Sequence, residues 1–122
     1  MGTTIAIVDD DDTILDAARL VLEPYRWNIR TYTTAESFLN DLVANGAPHC
    51  LVLDPHLPGM NGADIVRGLQ NGYGDTPIIG LTARPDSELV AELLDAGVEL
   101  VLTKPVAAEV LVQHIEAAIA GI

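Results

Sequence analysis

Short runs of strand-forming residues recur along this chain, and each stops abruptly at a polar or charged residue. They cover residues 5–8, 27–32, 50–53, 77–81 and 98–102. The first, third and fourth lack the alternation of a half-solvated strand and are too short for helices, so they read as strands buried on both faces; the second alternates enough to be half-buried. Helix-like stretches fill the intervals. Ile14, Leu15, Ala18, Val21 and Leu22 recur at helical spacing over residues 13–23, and Pro24 stops that helix. Thr33 and Glu36 have the spacing of a capping box for a helix through Phe38, Leu39, Leu42 and Val43 that closes at Asn45 and Gly46. A loop containing Pro55, Pro58, Gly59, Asn61 and Gly62 precedes a helix over 63–70. Asp86 or Ser87 caps a helix with Leu89, Val90, Leu93 and Leu94 on its apolar face, ended by Gly97, and the last helix covers 107–120.

Five strands alternating with five helices through short connections require a parallel sheet covered on both faces. With 122 residues the chain is too short for an eight-unit barrel. The expected fold is therefore a single α/β domain over residues 1–122: a flavodoxin-like, doubly wound, five-stranded parallel sheet of order 2-1-3-4-5 with five flanking helices. Its switch point lies between strands one and three.

Charge narrows the function. Eighteen acidic residues against six basic ones give a formal net charge of −12. Such a field repels phosphate backbones, so direct nucleic-acid binding and attachment to an anionic membrane are not expected. One cysteine cannot form an internal disulfide, and no leader or membrane-spanning stretch stands out, so a cytoplasmic location is expected.

In open parallel sheets ligands bind beyond the carboxyl ends of the strands, at the switch point. There the chain places Asp9 and Asp10 after strand one, Asp54 after strand three, Thr82 after strand four and Lys104 after strand five. Three neighbouring carboxylates oppose one another's ionisation unless a cation joins them. Oxygen donors without a His/Cys cluster favour Mg²⁺. Such a site suits phosphoryl transfer, with a carboxylate as covalent acceptor and Lys104 and Thr82 donating to phosphoryl oxygens.

The segments IAIVDDDD, LVLDPHLPGMNG, IIGLTA and LTKP, in this order and spacing, resemble the receiver domain of two-component response regulators, and the likeness covers essentially the whole chain. The resemblance implies that Asp54 is the phosphoacceptor, that Asp9 and Asp10 bind Mg²⁺ together with Asp54 and the backbone carbonyl of His56, that Thr82 is the switch hydroxyl, and that Lys104 pairs with the phosphoryl group. It implies phosphorylation by a histidine kinase or histidine phosphotransfer domain, slow self-catalysed dephosphorylation, a switched surface on the fourth helix, fifth strand and fifth helix, and a downstream effector domain or protein. The chain departs from the family pattern at Val101, where an aromatic residue is usual, and at Pro55. His56 and Arg84 occupy the positions that tune phosphoryl hydrolysis. Leu100 and His114 stand where one receiver subfamily carries charged dimer contacts, so that mode of dimerisation is not expected. Partner docking is expected at the apolar edge of the first helix, including Ile14, with residues 104–106.

Several residues have plainer readings. Asp11 and Asp12 suit a helix N-terminus, where the macrodipole favours acids. Cys50 reads as a small buried hydrophobe, His49 and His114 as surface residues, Trp27 and Phe38 as core, and 72–75 as a turn. Other functions fit less well. An aspartyl-phosphate hydrolase of the haloacid dehalogenase type needs a second Asp where His56 stands, and a flavodoxin-type carrier would not place four aspartates at a phosphate site. A degenerate receiver used only for docking conflicts with the intact acidic and basic set.

Overall fold

The computed structural model describes residues 2–121. Five strands, β1 (Thr4–Val8), β2 (Asn28–Tyr32), β3 (Cys50–Leu53), β4 (Ile78–Thr82) and β5 (Leu100–Thr103), form one parallel sheet of order β2-β1-β3-β4-β5. They alternate with α1 (Asp12–Leu22), α2 (Ala35–Asn45), α3 (Gly62–Gln70), α4 (Glu88–Asp95) and α5 (Ala108–Ala120). Fold class, strand order and switch point agree with expectation. No described helix is long and apolar enough to cross a membrane.

Apolar residues on both faces of the central strands divide the interior into two layers. Ala6, Val8, Leu51 and Leu53 face α2, α3 and α4 through Phe38, Leu42, Ile65, Leu69 and Leu93. The alternate residues Ile5, Ile7, Cys50 and Val52 face α1 and α5 through Leu15, Leu22, Leu111, Val112 and Ile115. Period-two alternation of side chains explains why both sets are apolar: each of these eight residues faces a helical layer on one side of the sheet or the other.

Several boundaries differ from the sequence expectation. Thr34, not Thr33, caps α2, accepting from Ser37 N–H at 3.1 Å, so the Thr33–Glu36 box does not form. Thr and Ser offer the same capping oxygen, and the choice between adjacent threonines depends on where the chain leaves β2. Trp27 precedes β2 and stacks on Tyr25 with ring centroids 5.1 Å apart, packing at the margin of the α1/α5 layer. Pro24 does not simply stop α1. It sits in a 3-10 turn over Glu23–Tyr25 that continues from the helix. Pro77 and Val98 fall outside β4 and β5. Asp11 caps α1 by accepting from Thr13 N–H at 2.9 Å, and Asp12 opens its first turn, as the plainer reading of these acids holds. Cys50 is fully buried, and burial pushes its thiol up to about 12, which leaves it unreactive.

Candidate functional site

The parallel sheet brings the expected polar groups to one edge. Asp9 follows β1, its N–H bonded to Tyr32 O at 3.0 Å, and Asp54 follows β3, its N–H bonded to Val8 O at 3.0 Å. Thr82 ends β4, and the N–H of Lys104 donates to Thr82 O at 2.7 Å, so the ladder hydrogen bonding carries on past the strand ends. Asp9, Asp54 and Thr82 are the buried polar residues of the described chain.

Lys104 joins the two buried carboxylates. Its Nζ donates to Asp9 Oδ2 at 2.8 Å and to Asp54 Oδ2 at 2.7 Å, and its side chain is only 16% exposed. The remaining oxygens are held by backbone: Asp9 Oδ1 accepts from Asp11 N–H at 3.0 Å, and Asp54 Oδ1 accepts from His56 N–H at 2.8 Å. Asp10 is exposed, yet one oxygen from each of Asp9, Asp10 and Asp54 lies within 4.8 Å of the others. Three carboxylates thus face one ammonium. The donor set is all oxygen, compact and open to solvent on the Asp10 side, which suits a hard divalent cation.

Burial pushes the Asp9 carboxyl above its ordinary value of 3.8; the Lys104 and Asp11 contacts pull it down and the nearby Asp54 charge adds to the rise. For Lys104, burial opposes the charged form, but hydrogen bonds to Asp54 and Asp9 outweigh it and hold the ammonium above 10.5. Because the folded state raises the Asp9 pKa, Asp9 stabilises the fold below 3.8 and loses that contribution as pH rises through its raised value. In metal-free melts, the difference in Tm between Asp9→Asn and wild type is therefore expected to move in favour of the Asn variant across that interval and to level off above it. A difference that moves the other way would contradict the raised pKa.

His56 lies deeper in the site than its loop position suggests. Its ring Nδ1 is 3.1 Å from Thr82 Oγ1 and 3.5 Å from Asp54 Oδ1, and its Nε2 is 2.7 Å from Ser87 Oγ. Thr82 Oγ1 also accepts from Arg84 N–H at 2.9 Å, while the Arg84 residue itself is exposed. Val101 pairs with Gly80 in the sheet; a Cβ built on Gly80 would lie 3.0 Å from Val101 Cγ2. The structure thus gathers Asp9, Asp10, Asp54, His56, Thr82 and Lys104, and leaves Val101 packed behind the site. Ser87 was legible in sequence only as a helix cap. Its contact with His56 spans 31 residues of chain and leaves no local spacing to read.

A groove of about 630 Å³ opens at the opposite end of the sheet among Thr76, Pro77, Glu99, Leu100 and His114. None of the gathered site residues lines it. The polar groups therefore converge at the switch point, away from this groove.

Residues 5–116 match the response regulator receiver domain family. The chain is 32% identical over 118 residues to the response regulator protein TodT of Pseudomonas putida, covering 97% of this chain and 52% of that protein. It is 36% identical over 118 residues to the response regulator MprA of a Mycobacterium species, covering 96% of this chain and 50% of that protein. The chain thus spans about half the length of these relatives. Among solved structures, the response regulator DrrB of Thermotoga maritima, an OmpR/PhoB homologue, is 34% identical with a TM-score of 0.84, covering 99% of this chain and 54% of that one. An acidic trio at the switch point of a β2-β1-β3-β4-β5 sheet, a lysine clamped to it, and a family match across nearly the whole chain place this protein among the receiver domains of two-component response regulators.

Proposed function

We propose that Asp54 accepts a phosphoryl group from a histidine kinase or histidine phosphotransfer domain, and that this switches the surface formed by α4, β5 and α5. The observation that carries this reading is the clamp of Lys104 on Asp54 and Asp9, 50 and 95 residues away in sequence, at the edge where Asp10 opens the site to solvent. Lys104 has three N–H donors and spends two on these carboxylates, so the third is free to meet a phosphoryl oxygen. The Thr82 hydroxyl accepts from Arg84 N–H and keeps a proton to donate. Donors fixed before the reaction stabilise the charge that develops on the transferred group. Backbone N–H of His56 holds Asp54 Oδ1 in place, which orients the carboxylate for attack on phosphorus.

Asp9, Asp10, Asp54 and the backbone carbonyl of His56 would hold Mg²⁺, which when bound supplies positive charge against the crowded carboxylates and the phosphoryl oxygens. The His56 ring, 3.5 Å from Asp54 Oδ1, and the exposed Arg84, whose N–H donates to Thr82 Oγ1, are proposed to modulate how long the acyl phosphate persists. An effector domain or protein reading the switched surface is part of the same proposal.

Incubation with acetyl phosphate and Mg²⁺, followed by intact mass, is expected to show a gain of one phosphoryl group. The gain should vanish in Asp54→Asn and in the presence of a chelator. Wild-type protein that gains nothing under these conditions would overturn the reading.

A further inference from the structure

One ring touches three parts of the molecule that have different jobs. The His56 imidazole meets Asp54 and Thr82 through Nδ1 and Ser87 through Nε2, and its side chain is only 10% exposed. Ser87 is the N-cap of α4: its Oγ also accepts from Val90 N–H at 3.3 Å. Hydrogen bonds therefore run from Thr82 through a planar ring that cannot bend to the cap of α4, and that ring lies 3.5 Å from the Asp54 carboxylate. A path through β5 is less well built. Val101 is β-branched, holds few rotamers and packs against Gly80, so it offers no ring to swing between two positions.

We infer that the His56 ring, tied to Ser87, is the positioning group that carries the state of Asp54 to α4, in place of an aromatic residue on β5; this rests on Asp54 being the phosphoacceptor. A phosphoryl group on Asp54 is larger and more negative than the carboxylate it replaces. It competes for the Thr82 hydroxyl and crowds a ring that lies 3.5 Å from Asp54 Oδ1. The ring is nearly enclosed, so its displacement passes to the partner on its far nitrogen. That partner is the cap of α4, and an α-helix moves as a rigid unit when its first turn is moved.

Ser87 provides the test, because it touches no group that receives the phosphoryl. Amide chemical shifts of residues 91–95 would be followed by NMR with and without acetyl phosphate and Mg²⁺, with intact mass recorded on the same samples. In Ser87→Ala, phosphoryl uptake is expected to match wild type while the α4 shift changes shrink about threefold or more, within the span expected for a coupling residue away from the ligand. Ser87→Thr keeps the hydroxyl and should restore them. Ser87→Gly retains most of the capping free energy without a hydroxyl. It should therefore melt near wild type and still transmit poorly. Full-sized α4 changes in the phosphorylated Ala or Gly variants would overturn the relay and leave the phosphoacceptor reading standing. Absence of phosphoryl uptake in wild type would overturn both.

Discussion

Exchanging Lys104 for Met is expected to weaken the metal-free fold by about 3 kcal/mol, because two mostly buried carboxylates lose the single cation between them. The cost falls at the low end of the range for a broken buried pair, since Asp10 leaves one side of the site open to water. The same change should tighten Mg²⁺ binding by about tenfold or more. The ammonium repels an incoming dication from within the acidic group, and removing one charge at this range is worth at least ~1.4 kcal/mol at the dielectric of a protein surface. Phosphoryl uptake should nevertheless fall about a hundredfold, the usual loss when a donor aimed at developing charge is removed. Thermal melts with and without Mg²⁺, a metal titration and acetyl phosphate kinetics separate these effects. An unchanged metal-free melt, or metal binding weaker than wild type, would contradict the clamp.

Gly62→Ala is expected to cost about 2 kcal/mol through crowding alone. A Cβ there would stand 2.8 Å from Pro55 Cα, and 3.4 Å from both Leu53 Cδ2 and Leu93 Cδ2. The nearest atom is backbone, so no side chain can turn aside, and the Gly62 N–H to Pro55 O bond of 3.2 Å ties the same two segments together. Pro55 directly follows Asp54, so the start of α3 braces the loop that carries the acceptor. Gly68→Ala is the contrasting case. Its Cβ would meet only Leu39 Cδ2, at 3.0 Å, the end of a side chain that can adjust. The gain in helix propensity offsets that contact, leaving stability near wild type. Urea denaturation of the two variants should show a clear loss for Gly62→Ala only; equal midpoints would sink the brace.

The two glycines also show where sequence reading runs out. Gly62 is legible as a loop residue before a helix, but its necessity arises from Pro55, Leu53 and Leu93 meeting over it. The strands and their order were legible because residues 5–8 and 50–53 are apolar at every position, which only a doubly covered sheet accommodates. Asp9, Asp54, Thr82 and Lys104 were legible for a related reason: in a parallel sheet, chain position after a strand is position in space. The cap of α2 was misplaced because Thr33 and Thr34 differ only in backbone direction. The link from His56 to Ser87 was invisible because two loops make it, and loop geometry follows no period.

The division of the interior into two layers bears on how far a disturbance can spread. Phe38, Leu69, Leu93 and Val101 share one layer, while Leu15, Leu22, Leu111 and Ile115 share the other, and β1 and β3 stand between them as a wall one strand thick. Repacking beneath α4 is therefore expected to spread first among its own neighbours and to reach α1 and the inner face of α5 only through the strands. The molecule is mechanically partitioned: one flank can change shape while the other keeps its form, so a surface that reports a change and a surface that stays constant can coexist on a body this small.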